Sequence, residues 1–207
     1  MGAEIIFLIA ILVVSVVIHE VAHGFAANWL GDPTARLEGR LTLNPVPHVD
    51  PMGSIILPAI LALSSSPLLF GWAKPVPYNP YNLQKGGRWA EALVAFAGPA
   101  ANIGIAIIFG IIVRLGILPA GAEMLAVSIV FLNVLLAIFN LIPIPPLDGS
   151  KILPRILPRS LAMHYERMRM AFEQHIFIGF GVVILAVLLF GTYLVDAVSF
   201  VTRIILG

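Results

Sequence analysis

A His-Glu-x-x-His motif lies inside an apolar run that is long enough to cross a membrane. Residues 5–18 carry no charge, and His19, Glu20 and His23 follow within VVSVVIHEVAHGFAANWL. Ionisable groups at membrane depth are costly, so such a cluster indicates a functional site. On a helix, positions i and i+4 share a face, so both imidazoles can point to one place. This arrangement is typical of a hydrolytic zinc site, whereas a pair of packed core histidines would leave Glu20 unexplained.

The composition indicates an integral membrane protein. Of 207 residues, 59% are hydrophobic and only 11% are charged, whereas soluble domains carry roughly 25% charged residues. We therefore expect an all-α, polytopic helical bundle in the membrane. A net charge of +1 without a basic cluster argues against a nucleic-acid partner. Because the chain has no cysteine, a metal site here must use His, Asp, Glu or water.

Four apolar segments, at about 4–30, 91–115, 124–143 and 176–206, are long enough to span a bilayer. A fifth, 55–70, is short and is interrupted at 64–67, which favours a re-entrant segment. If residues 55–70 are re-entrant, the basic connectors all lie on one side of the membrane, which would be the cytoplasmic side. If they form a full span, the basic connectors lie on both sides. We expect four to six membrane segments in a single domain, 1–207. Its core covers about 4–158, and an interfacial helix with the last span covers 159–207.

The connector after the motif contains RLTLN and then several prolines, which predicts a short β-hairpin or loop. Residues 37–44 are either an edge that holds an unwound peptide by strand addition or a plain hairpin. His48 and Asp50 follow in this connector. They either bond to the metal ligands or line the path of water to the metal, or they make hydrogen bonds within the loop itself.

Asp148 is the leading candidate for a third metal ligand. A catalytic zinc usually takes three protein ligands and keeps one position open. Asp148 lies in FNLIPIPPLDGSKIL, directly after an apolar segment and next to Gly149. Aspartate is also a good N-cap, so on pattern alone the ligand and cap readings are equally supported.

These segments together resemble the site-2 protease family of M50-type intramembrane zinc metalloproteases. That family pairs HExxH with N-x-x-P-x-P-x-L-D-G, and the second pattern occurs here from Asn140 to Gly149. GRLTLNPVPHVDPMG and FAGPAAN also look like segments of compact members. The sequence has no inserted PDZ domain and no appended CBS domains, so we expect the compact form, and regulation by those modules is not carried over.

The resemblance implies one zinc ion held by His19, His23 and Asp148, with Glu20 as the catalytic base. Asn140 and Asn102 are then candidate donors to the oxyanion or clamps on an extended substrate, although either could simply make interhelical hydrogen bonds.

The implied activity is a zinc metalloendopeptidase that cleaves peptide bonds in or near transmembrane segments. Its partners would be a transmembrane protein substrate and the lipid bilayer, and its location a cytoplasmic membrane. The sequence does not name the substrate or the oligomeric state. The alternatives are a transporter or metal-binding membrane protein and an inactive scaffold. A transporter would more often show broken helices in two related halves, and the intact Glu20 argues against the scaffold.

Overall fold

The structure is a computed structural model that describes residues 2–63, 71–119 and 121–207. Its α-helices are α1 (Gly2–Leu30), α2 (Thr34–Leu37), α3 (Leu57–Leu63), α4 (Ala90–Arg114), α5 (Ala122–Asn140), α6 (Gly149–Ile156), α7 (Arg159–Gln174) and α8 (Ile176–Leu206). Within the described residues, four helical stretches are long and apolar enough to cross a membrane: Ile5–Leu30, Gly87–Arg114, Ala122–Asn140 and Ile178–Leu206. They confirm the polytopic helical fold and the four predicted spans.

The long connector between α1 and α4 begins and ends at the same end of α1. The backbone N–H groups of Gln84 and Lys85 both donate to the carbonyl oxygen of Leu30, at 2.9 and 3.0 Å. Between these ends lie a π-helical turn, Pro51–Ile56, and the short α3. The return of the connector agrees with a re-entrant segment, although part of that predicted segment, 64–70, lies outside the described residues.

Of the two forms predicted for the connector after α1, the loop and not the β-hairpin is found, since the described residues contain no strand. Two side chains in RLTLN bond the local backbone instead: Thr42 Oγ1 accepts from Asn44 N at 3.2 Å, and Asn44 Oδ1 accepts from Val46 N at 3.1 Å. Such local bonds compete with a strand ladder. Arg40 turns inward and donates to the carbonyl oxygen of Lys74. Residues 37–44 therefore offer no strand edge for substrate addition.

Helix α4 packs against α1, α5 and α8. One fully buried cluster joins α4, α5 and α8 through Ala106, Val130, Val134 and Val198. A second joins α1 and α4 through Ala27, Leu30 and Val94. Small and β-branched side chains let these helix backbones approach closely, as is usual where lipid supplies no hydrophobic force between helices.

An ion-pair network fixes the amphipathic helix α7 to the bundle. Arg169 pairs with Glu91, Glu166 and Glu173 at 2.9–3.1 Å, and Arg155 pairs with Glu91 at 2.8 Å. Glu91 lies in the first turn of α4, so the network ties α6 and α7 to the start of that span. The position of α7 at the membrane interface stays a prediction.

Trp72 joins the connector to α8. Its ring stacks on Phe180 with centroids 4.6 Å apart and planes inclined by 17°. It also packs directly on the backbone of Gly53, where a Cβ atom would collide with the indole ring. The connector is thus held between α1 and α8.

Candidate metal centre

Three ligand atoms from α1 and the loop before α6 form a nearly equilateral triangle. His19 Nε2 lies 3.1 Å from His23 Nε2 and 3.1 Å from Asp148 Oδ2, and His23 Nε2 lies 3.2 Å from the same oxygen. Tetrahedral zinc with bonds of about 2.0–2.1 Å would hold its ligand atoms about 3.3 Å apart. The triangle therefore has the dimensions of three zinc ligands.

The other ring nitrogen of each histidine is held by a carbonyl oxygen. His19 Nδ1 lies 2.6 Å from Asn102 Oδ1, and His23 Nδ1 lies 2.7 Å from the carbonyl oxygen of Val94. In neutral imidazoles, each Nδ1 then carries the proton and each Nε2 presents its lone pair to the triangle. Three electron-rich atoms this close require a cation or a shared proton between them, so the donor set fits a divalent metal.

A buried amide network fixes the orientation of Asn102. Its Nδ2 donates to Asn133 Oδ1 at 2.9 Å and to the carbonyl oxygen of Ser15 at 3.4 Å, which leaves Oδ1 facing His19. Asn133 in turn donates to Ser15 Oγ at 3.0 Å. Both asparagines are completely buried. Since its amide is committed in this way, Asn102 lies behind His19, and the geometry favours an orienting role over contact with an oxyanion.

Gly98 of α4 lies directly against the two imidazoles. A Cβ atom at this position would come 2.5 Å from His23 Nε2 and 2.6 Å from His19 Nε2. Pro99 follows it within the helix. The absence of a side chain at Gly98 is therefore what lets α4 pack against the ligand face of α1.

Glu20 lies beside the triangle. The Glu20 carboxylate and the two imidazoles form a group whose ligand atoms all lie within 4.8 Å of one another. Glu20 Oε2 accepts a hydrogen bond from Val76 N at 2.8 Å. Glu20, His19, His23 and Asp148 all line one cavity of about 480 Å³. The cavity can therefore hold a peptide segment against the carboxylate and the ligands.

The Asp148 carboxyl is ionised at the site. Burial raises the pKa of this group, but the charge that His23 carries when protonated, and the hydrogen bonds that protonated imidazoles donate to the carboxylate, outweigh burial, so its pKa lies well below the usual range. Although Asp148 occupies the N-cap position of α6, its side chain makes no cap hydrogen bond. Its placement thus favours the ligand reading over the cap reading.

Lys151 adds a positive charge to the cavity wall. It lies three residues after Asp148, and such spacing puts both side chains on one face of a helix. Its Nζ lies 5.4 Å from the ring centroid of Tyr78. Burial lowers the pKa of Lys151, but Tyr78 and Asp148 outweigh burial and raise it, so the side chain remains an ammonium group.

The remaining predicted site residues, Asn140, Asp50 and His48, make hydrogen bonds within their own helix or connector. Asn140 lines the cavity, and its Nδ2 donates to Leu136 O within α5 at 2.9 Å. Asp50 also lines the cavity, and it accepts from Gly53 N at 2.6 Å. His48 is 2% exposed and its Nε2 bonds the carbonyl oxygen of Thr42 at 3.0 Å. His48 and Asp50 thus bond their own connector, which agrees with the alternative that they hold the loop.

Several residues around the centre were not predicted from the sequence: Ser15, Val76, Val94, Asn133 and Lys151. Val76 and Val94 act through backbone atoms, which a sequence does not reveal. Lys151 could have been predicted from the sequence, because it follows Asp148 by about one helical turn. Asn133 could have been predicted as well, since an amide in the middle of an apolar span needs a polar partner.

The sequence is similar to three proteins whose names describe zinc metalloproteases. It is 41% identical over 162 residues to YwhC of Bacillus subtilis, which covers 73% of this chain and 69% of that protein. It is 34% identical to Rip2 of Mycolicibacterium smegmatis over 70% of this chain and 54% of that protein. It is 33% identical to Rip2 of Mycobacterium tuberculosis over 75% of this chain and 59% of that protein. The chain thus spans little more than half the length of the Rip2 proteins.

The profile of Peptidase family M50 matches residues 112–188, a region that contains Asp148 but not the HEVAH helix. No solved structure matches the chain. Together with these similarities, the helical membrane fold and the His-Glu-His cluster define a membrane metalloendopeptidase. The chain belongs to peptidase family M50, the site-2 proteases. Membership of a peptidase family favours the enzyme reading over the transporter and metal-binding alternatives.

Proposed function

We propose that this chain, as one domain, hydrolyses peptide bonds within or near transmembrane segments of other membrane proteins. The observation that carries the proposal is the triangle of His19, His23 and Asp148 with Glu20 beside it, because both histidines and Glu20 lie within a helix long enough to span a membrane. Glu20 lies ten residues before Leu30, the end of α1, so it is about 15 Å from that end. A peptide bond cleaved there would lie inside the bilayer.

His19, His23 and Asp148 would hold one zinc ion. When bound, zinc polarises the scissile carbonyl and lowers the pKa of water toward neutrality. Glu20 takes the proton of the attacking water and then delivers it to the leaving amine. Asn140 and Lys151 are polar donors that line the same cavity, and we assign them contacts with the substrate backbone.

The substrate helix must unwind to reach the cavity, because helical hydrogen bonds cover its peptide groups. We propose that the active site lies toward the cytoplasmic face of the cell membrane. Ten of the 12 lysines and arginines lie in the connectors at the carboxyl end of α1, and only Arg114 and Arg203 lie toward the opposite face. This bias indicates a cytoplasmic location for those connectors.

The test is the position of the cleaved bond. Purified enzyme in proteoliposomes is given a single-span model substrate, and its products are measured by mass spectrometry. We expect a cut about two to three helical turns inside the cytoplasmic end of the span, with faster turnover when a Gly-Pro pair loosens the helix there. Cleavage confined to the soluble flanks would contradict the proposal.

A further inference from the structure

The connector segment 71–79 forms one wall of the cavity, and we call it the wall segment. Within it, the backbone N–H of Val76 donates to Glu20 Oε2 at 2.8 Å. Val76 is only 5% exposed. We propose that the Val76 N–H is a positioning group that fixes the Glu20 carboxylate for catalysis. This inference rests on the proposed function of Glu20 as the base.

The wall segment is held from outside the cavity by Arg40. The Arg40 guanidinium donates to two consecutive carbonyl oxygens, Lys74 O at 2.9 Å and Pro75 O at 3.2 Å. Lys74 N also donates to His48 O at 2.9 Å. These bonds fix the backbone immediately before Val76, so the direction of its N–H is determined by groups that do not touch Glu20.

Val76 also packs on α1 within a turn of Glu20. A Cβ atom at Gly24 would come 2.8 Å from Val76 Cγ1, so the glycine makes room for this side chain. The wall segment therefore approaches α1 through both a backbone hydrogen bond and a side-chain contact.

The wall segment does not fill the cavity. A cavity of about 480 Å³ remains between Val76, Glu20 and Asp148. A carboxylate has two oxygens that accept hydrogen bonds. With Oε2 held by Val76, Oε1 is left to accept the proton of the attacking water. Charge-assisted bonds from a backbone N–H are short and strong, so the carboxylate is held in one orientation.

The experiment compares two substitutions that differ in the backbone donor. Val76→Pro removes the N–H, and the segment is already rich in proline. Val76→Thr keeps both the N–H and the branched shape. We expect Val76→Pro to lower kcat roughly 10–100-fold, because small misplacements of a reacting group are costly. KM and zinc content should stay at the wild-type values, and Val76→Thr should keep kcat within about threefold.

Three outcomes decide the inference. Equal kcat for Val76→Pro and Val76→Thr would overturn it, and so would a rise in kcat for Val76→Pro, which would mean that the segment restrains the enzyme. If Val76→Pro fails to fold, Arg40→Gln decides: a fall in kcat at unchanged KM and zinc content supports the role, and an unchanged kcat overturns it.

A Glu20→Gln variant separates this inference from the proposed function. If Glu20→Gln still cleaves, the base assignment itself fails. If Glu20→Gln is inactive while Val76→Pro matches Val76→Thr, only the positioning role fails.

Discussion

The α carbon of Gly98 faces the imidazole of His23 so closely that a methyl group there would come 2.5 Å from Nε2. Gly98→Ala should therefore displace the imidazoles and lower zinc affinity by at least tenfold. Gly104→Ala is the matched control, because it lies in the same helix and a Cβ atom there meets nothing within 4 Å. Zinc affinity is measured by competition with a chromophoric chelator. Equal affinities for the two variants would contradict the close packing.

Asn102 should affect the metal site through His19. Asn102→Leu removes the acceptor for His19 Nδ1, so we expect zinc affinity to fall by roughly 10–100-fold, as for other residues that orient metal ligands. Asn140→Leu is the control, because the Asn140 amide donates to Leu136 O within its own helix. Its zinc affinity should match that of the wild type. A wild-type affinity for Asn102→Leu would show that His19 does not need this partner.

Asp32 should stabilise the connector. It is fully buried, and its carboxylate accepts from Thr34 Oγ1, Asn79 N and Asn82 Nδ2 at 2.6–2.9 Å. Removing a buried acceptor leaves its donors unpaired, so Asp32→Ala should lower the free energy of unfolding by about 1–3 kcal/mol. Thr34→Val, which removes one of these bonds, should cost less. Thermal unfolding in detergent measures both.

The same carboxylate predicts a pH dependence. Burial raises the pKa of Asp32, but the hydrogen bonds from Thr34, Asn82 and Asn79 outweigh burial and lower it. A lowered folded-state pKa gives stability that is present above the unfolded value, about 3.9, and is lost as the pH falls through the folded value. The stability difference between wild type and Asp32→Ala should be constant above about pH 5 and shrink below about pH 4. A difference that grows in acid would refute this assignment.

Single cysteines can test the topology, since the chain has none of its own. Ser160 lies at the start of α7 and Ile117 lies between α4 and α5, and both are exposed. In right-side-out vesicles, an impermeant maleimide should label Ile117→Cys at once and Ser160→Cys only after permeabilisation. The opposite pattern would place the active site toward the other face.

The spans and the shared helix face of His19 and His23 could be predicted because their signals are local, whereas the pattern around Asp148 supported the ligand and cap readings equally. A run of about 20 apolar residues determines a span, and the spacing of His19 and His23 determines a shared helix face. The connector forms a loop and not the alternative β-hairpin because the side chains of Thr42 and Asn44 bond their own backbone, and tertiary contacts draw Arg40 inward. The contacts to Val76 and Val94 could not be predicted, because they depend on how distant segments pack.

In the proposed mechanism, His19, His23 and Asp148 hold the metal while Glu20 moves the proton. The most direct measurement is zinc content together with cleavage of a transmembrane substrate, for wild type, Glu20→Gln and His23→Ala. We expect about one zinc per chain in wild type and Glu20→Gln, cleavage by wild type alone, and loss of zinc in His23→Ala. Cleavage by Glu20→Gln, or full zinc content in His23→Ala, would contradict the account.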